Sequence, residues 1–325
     1  MRQERHTLAV ISALILAGAD FATAQSASAQ AYSRKGAEYF TNVELTTQDG
    51  TKVRFYDDLL KGKIVVIDLF YTQCLDSCPL ETARLAQVQR MLGDRVGKDI
   101  FFYSISIDPE RDTPGELKAY AKKYRAGPGW LFLTGDRKDV DSISKKLGLF
   151  SEPDPADRDG HTPSVLLGNE PTGQWIRNSA LDNPRRLAVV IGDWLNSWKT
   201  AKPGKSYTDV PTLAIKDKGQ YLFGTHCAAC HTIGEGDQIG PDLLGVTKTR
   251  EAGWLKRFIA TPDQMLAEKD PVATALFAKY NRIFMPNLRL GSAEVSDLVK
   301  FLEAKDGTEK SGATGKEAAL ATFSK

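Results

Sequence analysis

The clearest chemical pattern in the chain is the run Cys227-Ala228-Ala229-Cys230-His231. Two thiols at this spacing lie about one helical turn apart, so each can form a thioether bond to one haem while the following histidine reaches the iron. The pattern therefore predicts one covalently bound haem c, held by Cys227 and Cys230, with His231 as an axial iron ligand. A redox-active cysteine pair followed by an incidental histidine is the alternative interpretation.

A second cysteine pair, Cys74 and Cys78, lies between an apolar run and a helical pattern in the first half of the chain. The start of a helix favours thiolate, so we expect lowered thiol pKa values there. The three-residue spacing suits two sulfurs converging on a metal at least as well as a disulfide. His161 is the only other soft or borderline ligand of note in this half, and two thiolates with an imidazole suit Cu(I). Zinc with a fourth ligand is the alternative metal.

The elements that must position these residues fall into two blocks. In the first block, a hairpin at residues 43–46 and 52–55 precedes apolar runs at 64–70, 100–107, 130–133 and 164–167, which alternate with helical patterns at 79–92, 114–124, 137–147 and 184–198. This alternation predicts an α/β sheet covered on both faces. The second block lacks strand signals and is predicted to be all-α, with helices near residues 215–225, 251–260, 271–280 and 292–304.

The chain ends and the region between the blocks have their own signals. Residues 1–24 resemble a secretory signal peptide, because Arg2 and Arg5 precede an apolar run and a small-x-small cleavage site follows it. That apolar run is shorter than the ~20 residues that a membrane-spanning helix needs. We therefore expect export to the periplasm without a stable membrane span, and an uncleaved signal that anchors the protein is the alternative. Residues 200–211 are predicted to be a linker and residues 306–325 a disordered tail.

Charge and cysteine content exclude other classes of protein. The chain has 43 Lys and Arg against 41 Asp and Glu, and no basic stripe, so nucleic acid is not an expected partner. Its 4 Cys residues are too few for a disulfide scaffold in 325 residues. The cysteines are therefore expected to serve chemistry.

The second block resembles class I cytochrome c over residues 214–304, on the haem attachment run and the Gly240-Pro241-Asp242-Leu243 run that follows it. The resemblance implies a second axial ligand from a methionine before the final helix, which Met285 matches in Ile283-Phe284-Met285-Pro286-Asn287. Met265 is the rival, otherwise packing in an irregular loop, and His226 is expected to be exposed. A His/Met pair fills both axial positions and raises the potential, which indicates electron transfer.

The first block resembles the Sco/SenC copper chaperones over residues 39–198. The resemblance rests on Phe70-Tyr71-Thr72, the Cys-x-x-x-Cys-Pro motif, the run from Ser106 to Pro114 and a late loop histidine. It implies a thioredoxin-like fold in a domain of residues 39–199, with copper, as Cu(I) or Cu(II), held by Cys74, Cys78 and His161. Residues 212–305 then form the cytochrome c domain. Asp108 and Arg111 are expected to shape the loop beside the site.

Two departures from the Sco/SenC pattern keep a thiol–disulfide role open. The family usually has Pro after its first cysteine, where this chain has Leu75. Thr162-Pro163-Ser164 separates the histidine from the next strand, and a Pro at this place is similar to the cis-Pro that faces the thiols in thioredoxins.

Three function classes follow from these patterns. The first is a copper chaperone with its own electron carrier, and the second is a thiol–disulfide oxidoreductase with Cys74 and Cys78 as its redox-active pair. The third is a peroxiredoxin-like peroxidase, but nothing next to Cys74 matches the catalytic pattern of that family. Haem and copper each move one electron and a disulfide needs two, so the fusion favours copper. The Sco/SenC resemblance implies a metallochaperone for the dinuclear copper centre of a respiratory cytochrome c oxidase. Its partners would be the copper-centre subunit of that haem-copper oxidase and an external redox partner for the haem.

Overall fold

The centre of the first block is a fully buried strand, β3, at Ile64–Phe70. Its run of β-branched, aliphatic and aromatic residues suits a strand that is covered on both faces. It pairs in parallel with β4, Ile100–Ser106, and β4 pairs in parallel with β5, Trp130–Thr134. On its other side β3 pairs antiparallel with β6, Ser164–Asn169. The computed structural model describes residues 36–74, 77–149, 163–196 and 217–320 of the chain.

Three further strands complete a seven-stranded mixed sheet in the order β2-β1-β5-β4-β3-β6-β7. β1, Glu44–Thr47, and β2, Lys52–Arg54, form the expected hairpin, and β1 pairs antiparallel with β5. β7, Gln174–Ser179, was not expected from the sequence. It is a largely exposed edge strand whose two large apolar residues, Trp175 and Ile176, are adjacent, so its pattern has no alternation.

Helices cover both faces of this sheet, as the alternating pattern predicts. The helices are α1 at Cys78–Leu92, α2 at Pro114–Lys123, α3 at Arg137–Leu147 and α4 at Pro184–Gly192. α1, α2 and α4 contribute to one apolar core, whereas α3 and a π-helical turn at Phe55–Leu60 contribute to the other. Short 3-10 turns lie at Gly93–Arg95, Glu170–Thr172 and Trp194–Asn196.

The described residues of the second block contain helices joined by loops, and no β-strand. Its helices are α5 at Lys218–Leu222, α6 at Val246–Thr249, α7 at Ala252–Ala260, α8 at Pro262–Ala267, α9 at Pro271–Lys279 and α10 at Ser292–Leu320. α5 continues into a π-helical turn at Phe223–Cys227. The short helices α6 and α8 were not expected, because neither is long enough to show a helical period.

α10 extends beyond residue 305, where the sequence predicts the end of the second domain. The helix continues to Leu320, and Glu, Lys and Ala in this last stretch are good helix formers. Disorder over residues 306–325 stays a prediction.

The chain from Gly36 onward forms one compact unit that includes both blocks. None of the helices in the part that the structure describes is long and apolar enough to cross a membrane. The signal peptide, the linker, His161 and the Thr162-Pro163 bond involve residues outside the described ranges.

Candidate functional site

The first cysteine pair lies at the connection between β3 and α1. Cys74 follows the end of β3 by four residues, and Cys78 is the first residue of α1. Both are buried thiols, 5% and 0% exposed, and Cys78 is hydrogen-bonded to Cys74. The fold therefore brings the two sulfurs together at the carboxyl end of the central strand, where α/β sheets place their sites.

The expected lowering of the thiol pKa is wrong for Cys78. Burial raises the pKa of Cys78 well above its ordinary value, and the hydrogen bond to Cys74 and the negative charge of Glu81 add to this effect. Removal from water thus outweighs the helix N-terminus. Cys78 is therefore a thiol at neutral pH when no metal is bound, so a soft metal must displace its proton when it binds.

A buried carboxylate just before α2 holds the loop that precedes Cys74. Asp112 is 0% exposed and accepts hydrogen bonds from the Thr72 backbone N–H at 3.0 Å, the Thr72 hydroxyl at 2.5 Å and the Ser106 hydroxyl at 2.5 Å. These bonds tie the loop to the end of β4. No sequence signal distinguishes Asp112 from the capping residues beside it.

The neighbouring residues behave as expected from the sequence. Thr113 is the N-cap of α2 and accepts a hydrogen bond from the Glu116 backbone N–H at 3.4 Å. Asp108 forms a salt bridge with Arg111 at 3.3 Å, which shapes the turn after β4.

The structure does not place the expected third copper ligand, because His161 lies outside the described residues. Within the described residues, no three His, Cys, Asp or Glu side chains come together as a metal site. Two buried thiols in contact nevertheless suit Cu(I), which prefers soft sulfur ligands.

The second cysteine pair lines an apolar crevice between helices of the second block. Cys227, Cys230, His231 and Met285 all contribute to its walls, together with leucine, phenylalanine and proline side chains. An adjoining apolar cavity also has Cys227, His231 and Met285 in its lining. The expected attachment residues and both expected axial ligands therefore meet at one apolar site, which suits a haem.

His231 is oriented as an iron ligand needs to be. Its Nδ1 lies 2.9 Å from the carbonyl oxygen of Pro241, a contact that fixes Nδ1 as the protonated nitrogen and leaves Nε2 for a metal. Burial lowers the pKa of His231, against a smaller opposite effect of that hydrogen bond, and so favours the neutral imidazole. A Cβ added at Gly240 would lie 2.7 Å from Cε1 of the His231 ring, so the backbone of Gly240 packs directly against the imidazole.

The two remaining candidates differ from their expected positions. Met265 is 1% exposed and lies on α8 rather than in an irregular loop, and it does not line either cavity. His226, expected to be exposed, is only partly so and lines the crevice. His226 lies within the π-helical turn at Phe223–Cys227.

The thiols of the crevice are poor candidates for a reactive pair. Burial raises the pKa of Cys227 and of Cys230 to about 12 each. Thiol–disulfide exchange proceeds through thiolate, so this environment argues against the alternative of a free redox-active pair in the second block.

The loop after His231 is stabilised by a carboxylate. Asp242 accepts hydrogen bonds from the backbone N–H groups of Gly234 at 2.8 Å, Gly236 at 2.6 Å and Leu244 at 2.8 Å. Desolvation acts to raise the pKa of Asp242, but these hydrogen bonds outweigh it and lower the pKa to about 2. The charged carboxylate therefore holds the loop that carries Pro241 against the histidine.

Comparison with known proteins assigns each block to a family. The SCO1/SenC family model matches residues 31–191, and the cytochrome c family model matches residues 216–305. The SCO1 protein homolog of Bacillus subtilis is 32% identical over 124 residues, which are 37% of this chain and 63% of that relative. The match thus spans less than two thirds of the length of that relative.

Two solved structures are similar to parts of the chain. Bradyrhizobium japonicum ScoI with copper bound is 28% identical, and the match covers 46% of this chain and 94% of that one with a TM-score of 0.39. The cytochrome c domain of a Pseudomonas putida protein is 50% identical, and the match covers 30% of this chain and 94% of that one with a TM-score of 0.28. The family matches fall on the two blocks that carry the two cysteine pairs.

Proposed function

Because this chain belongs to the SCO1/SenC family and carries a cytochrome c domain behind its thioredoxin-like domain, we propose that it is a periplasmic copper chaperone with its own haem electron carrier. It would assist assembly of the dinuclear copper centre of a respiratory cytochrome c oxidase. Its partners would be the copper-centre subunit of that oxidase and an external redox protein.

The observation that carries this proposal is the contact between Cys74 and Cys78 at the carboxyl end of β3. Two buried sulfurs in contact form a soft ligand pair that Cu(I) prefers to harder cations. The relative from Bradyrhizobium japonicum was solved with copper bound. His161 would complete the site as a third ligand, since imidazole accepts copper in either common oxidation state.

The haem part of the proposal rests on the crevice of the second block. One haem c would be attached through Cys227 and Cys230, with His231 and Met285 as axial ligands. The bond from His231 Nδ1 to the Pro241 carbonyl and the position of Met285 in the same cavities support this ligand pair. A His/Met haem transfers single electrons, so it would exchange one electron with copper bound at the other site.

We further propose residues 39–199 as the copper domain, residues 200–211 as its linker and residues 212–305 as the haem domain, after a signal peptide of residues 1–24. A flexible linker of twelve residues spans ~20 Å and at most ~40 Å when extended. It therefore permits the two domains to remain in contact.

One further observation favours a second candidate, thiol–disulfide oxidoreductase. Cys74 and Cys78 are close enough to hydrogen-bond as thiols, so the dithiol could form a disulfide by losing two protons and two electrons, which the haem would accept one at a time and pass to the external redox protein. Dithiol couples lie at roughly −120 to −300 mV, and a His/Met haem lies higher. The haem would therefore oxidise the dithiol readily but reduce the disulfide poorly.

A Cu(I) competition assay against a chromophoric chelator separates the candidates. We expect the haem-loaded protein to bind one Cu(I) tightly, Cys74→Ser and Cys78→Ser to abolish tight binding, and His161→Ala to weaken Cu(II) binding most. The double variant Cys227→Ser/Cys230→Ser is the matched control, because it removes the other cysteine pair and should bind Cu(I) like the parent.

The opposite pattern would reject the copper proposal. If Cys74→Ser and Cys78→Ser retained parental Cu(I) affinity, the copper site would lie elsewhere. If the parent bound no copper but reduced a model disulfide in a Cys74-dependent reaction, the oxidoreductase would be the better assignment.

A further inference from the structure

The two domains are joined by contacts on both sides of the haem attachment run. Arg84 of α1 donates a hydrogen bond from Nη2 to the carbonyl oxygen of Thr225, two residues before Cys227. Arg125, after α2, donates from Nη2 to the carbonyl oxygen of Gln238 at 3.0 Å, seven residues after His231. Arginine side chains of the copper domain thus hold backbone carbonyls of the haem domain.

Apolar residues fill the space between these two hydrogen bonds. Leu80 of α1 contributes to the wall of the haem crevice. Ala229 and Ile239 of the haem domain are 0% and 5% exposed and belong to the same buried cluster as Cys78. One buried hydrophobic cluster therefore includes Cys78 of the proposed copper site and residues that flank the proposed haem site.

Arg84 is fully buried, which is unusual for an arginine. Its side chain is 0% exposed, and its Nε has no hydrogen-bond partner among the described residues. Burial lowers the pKa of Arg84, against smaller opposite effects of Cys230, Cys227 and Asp182. Among the described residues no carboxylate lies within 4.0 Å of the guanidinium, and Asp182 is itself paired with Arg186 at 3.4 Å. A buried cation without such a partner is costly, so its position beside the haem attachment calls for a function.

We propose that α1 is the resident docking surface for the haem attachment run of the second domain and that Arg84, buried at this contact, is a positioning residue that would raise the reduction potential of the attached haem. The inference rests on the proposed haem attachment at Cys227 and Cys230. Ferric haem carries one more positive charge than ferrous haem. A fixed cation beside the attachment residues therefore destabilises the ferric state more than the ferrous state, and it does so most effectively where water is excluded.

Docking is tested on the unaltered, haem-loaded chain by comparing backbone amide NMR signals of the oxidised and reduced protein. Low-spin ferric haem is paramagnetic and ferrous haem is not. We expect the amide signals of Leu80 and Arg84 to shift or broaden on oxidation, whereas those of Lys138 and Asp141, on α3 at the other face of the sheet, stay in place. Unchanged signals for α1 would overturn the docking.

The electrostatic role is tested by redox titration of the haem-loaded variants Arg84→Gln and Arg84→Lys. We expect Arg84→Gln to lower the equilibrium constant for haem reduction about tenfold, or ~59 mV for one electron, and Arg84→Lys to change it less than threefold. The matched control is Arg257→Gln in the haem domain, whose arginine forms an exposed salt bridge with Glu268. It should leave the potential unchanged.

Two readouts separate failure of this inference from failure of the proposed function. Haem that is covalently attached and shows a His/Met spectrum, combined with an unchanged potential in Arg84→Gln, would overturn the role of Arg84 alone. Absence of covalent haem in the parent would reject the proposed function itself. Because a buried charge is poorly screened, the difference between parent and Arg84→Gln should persist at high salt; a difference that vanishes there would also contradict the burial argument.

Discussion

The substitution Asp112→Asn should loosen the loop that carries Cys74 and so weaken copper binding. The Asp112 carboxylate receives three hydrogen bonds from Thr72 and Ser106 in a site that water does not reach. An asparagine has nearly the same shape, but it carries no charge and presents one acceptor oxygen where the carboxylate presents two.

The expected magnitude follows from these three bonds. A hydrogen bond to a charged group contributes about 1.5–3 kcal/mol and a neutral one about 0.5–1.5 kcal/mol. Loss of charge assistance therefore costs about 1 kcal/mol for each bond. We expect the copper domain to lose about 3 kcal/mol of unfolding free energy. If about half of this free energy is lost from copper binding because the loop is displaced, Cu(I) affinity falls by roughly tenfold, since a tenfold change corresponds to about 1.4 kcal/mol.

The assay pairs urea unfolding with the Cu(I) competition titration. Asp306→Asn, on α10 against the haem domain, is the matched control. Asp306 is 2% exposed and its carboxylate also receives three hydrogen bonds, from the Gly245 backbone at 2.6 Å, the Thr247 backbone at 3.1 Å and the Thr247 hydroxyl at 2.5 Å. It should destabilise the haem domain by a similar amount and leave Cu(I) affinity unchanged. Equal Cu(I) affinities for the parent and Asp112→Asn, at full copper occupancy, would refute the positioning role.

Three other changes test the haem domain. Gly240→Ala should displace the axial histidine and lower haem retention several-fold in a pyridine haemochrome assay, whereas Gly224→Ala, where a Cβ meets nothing within 4 Å, should not. Met285→Ala should abolish the sulfur-to-iron band at the red end of the ferric spectrum and lower the potential; the same loss in Met265→Ala instead would overturn the ligand assignment. Asp242→Asn should lower the free energy of unfolding above pH 4. The difference between parent and variant should shrink as pH falls from about 4 to about 2, because the native carboxylate, whose pKa is lowered to about 2, loses its stabilising charge in that window. A deficit independent of pH would contradict this.

The sequence was sufficient for most of the longer elements and for the attachment motif, but not for β7, α6 or α8. The bounds of β3 and α3 agree with the expected ranges, because each has a complete pattern of its own: a continuous apolar run in β3, and a helical repeat ended by Gly148 in α3. The haem attachment motif at residues 227–231 depends only on a short spacing in the sequence. The expected helices were therefore enough to predict that these residues share one crevice.

Other features depend on tertiary contacts and could not be read from local pattern. The raised pKa of Cys78 results from burial among residues distant in sequence, although its helix N-terminus alone favours thiolate. Arg84 lies in a helix of mixed composition, and only the packing of the second domain against α1 shows that it is buried. Asp112 is 40 residues from Thr72, so its role needs the fold.

Flash oxidation of the copper-loaded, fully reduced protein tests most directly whether the copper site and the haem work as one unit. A brief pulse oxidises the haem, and re-reduction by Cu(I) of the same chain is followed in the visible spectrum at several protein concentrations. In this step one electron moves from Cu(I) to ferric haem and leaves Cu(II) and ferrous haem. The account predicts re-reduction at a rate independent of protein concentration in the parent and none in Cys74→Ser. A rate proportional to concentration, or no re-reduction in the parent, would contradict it.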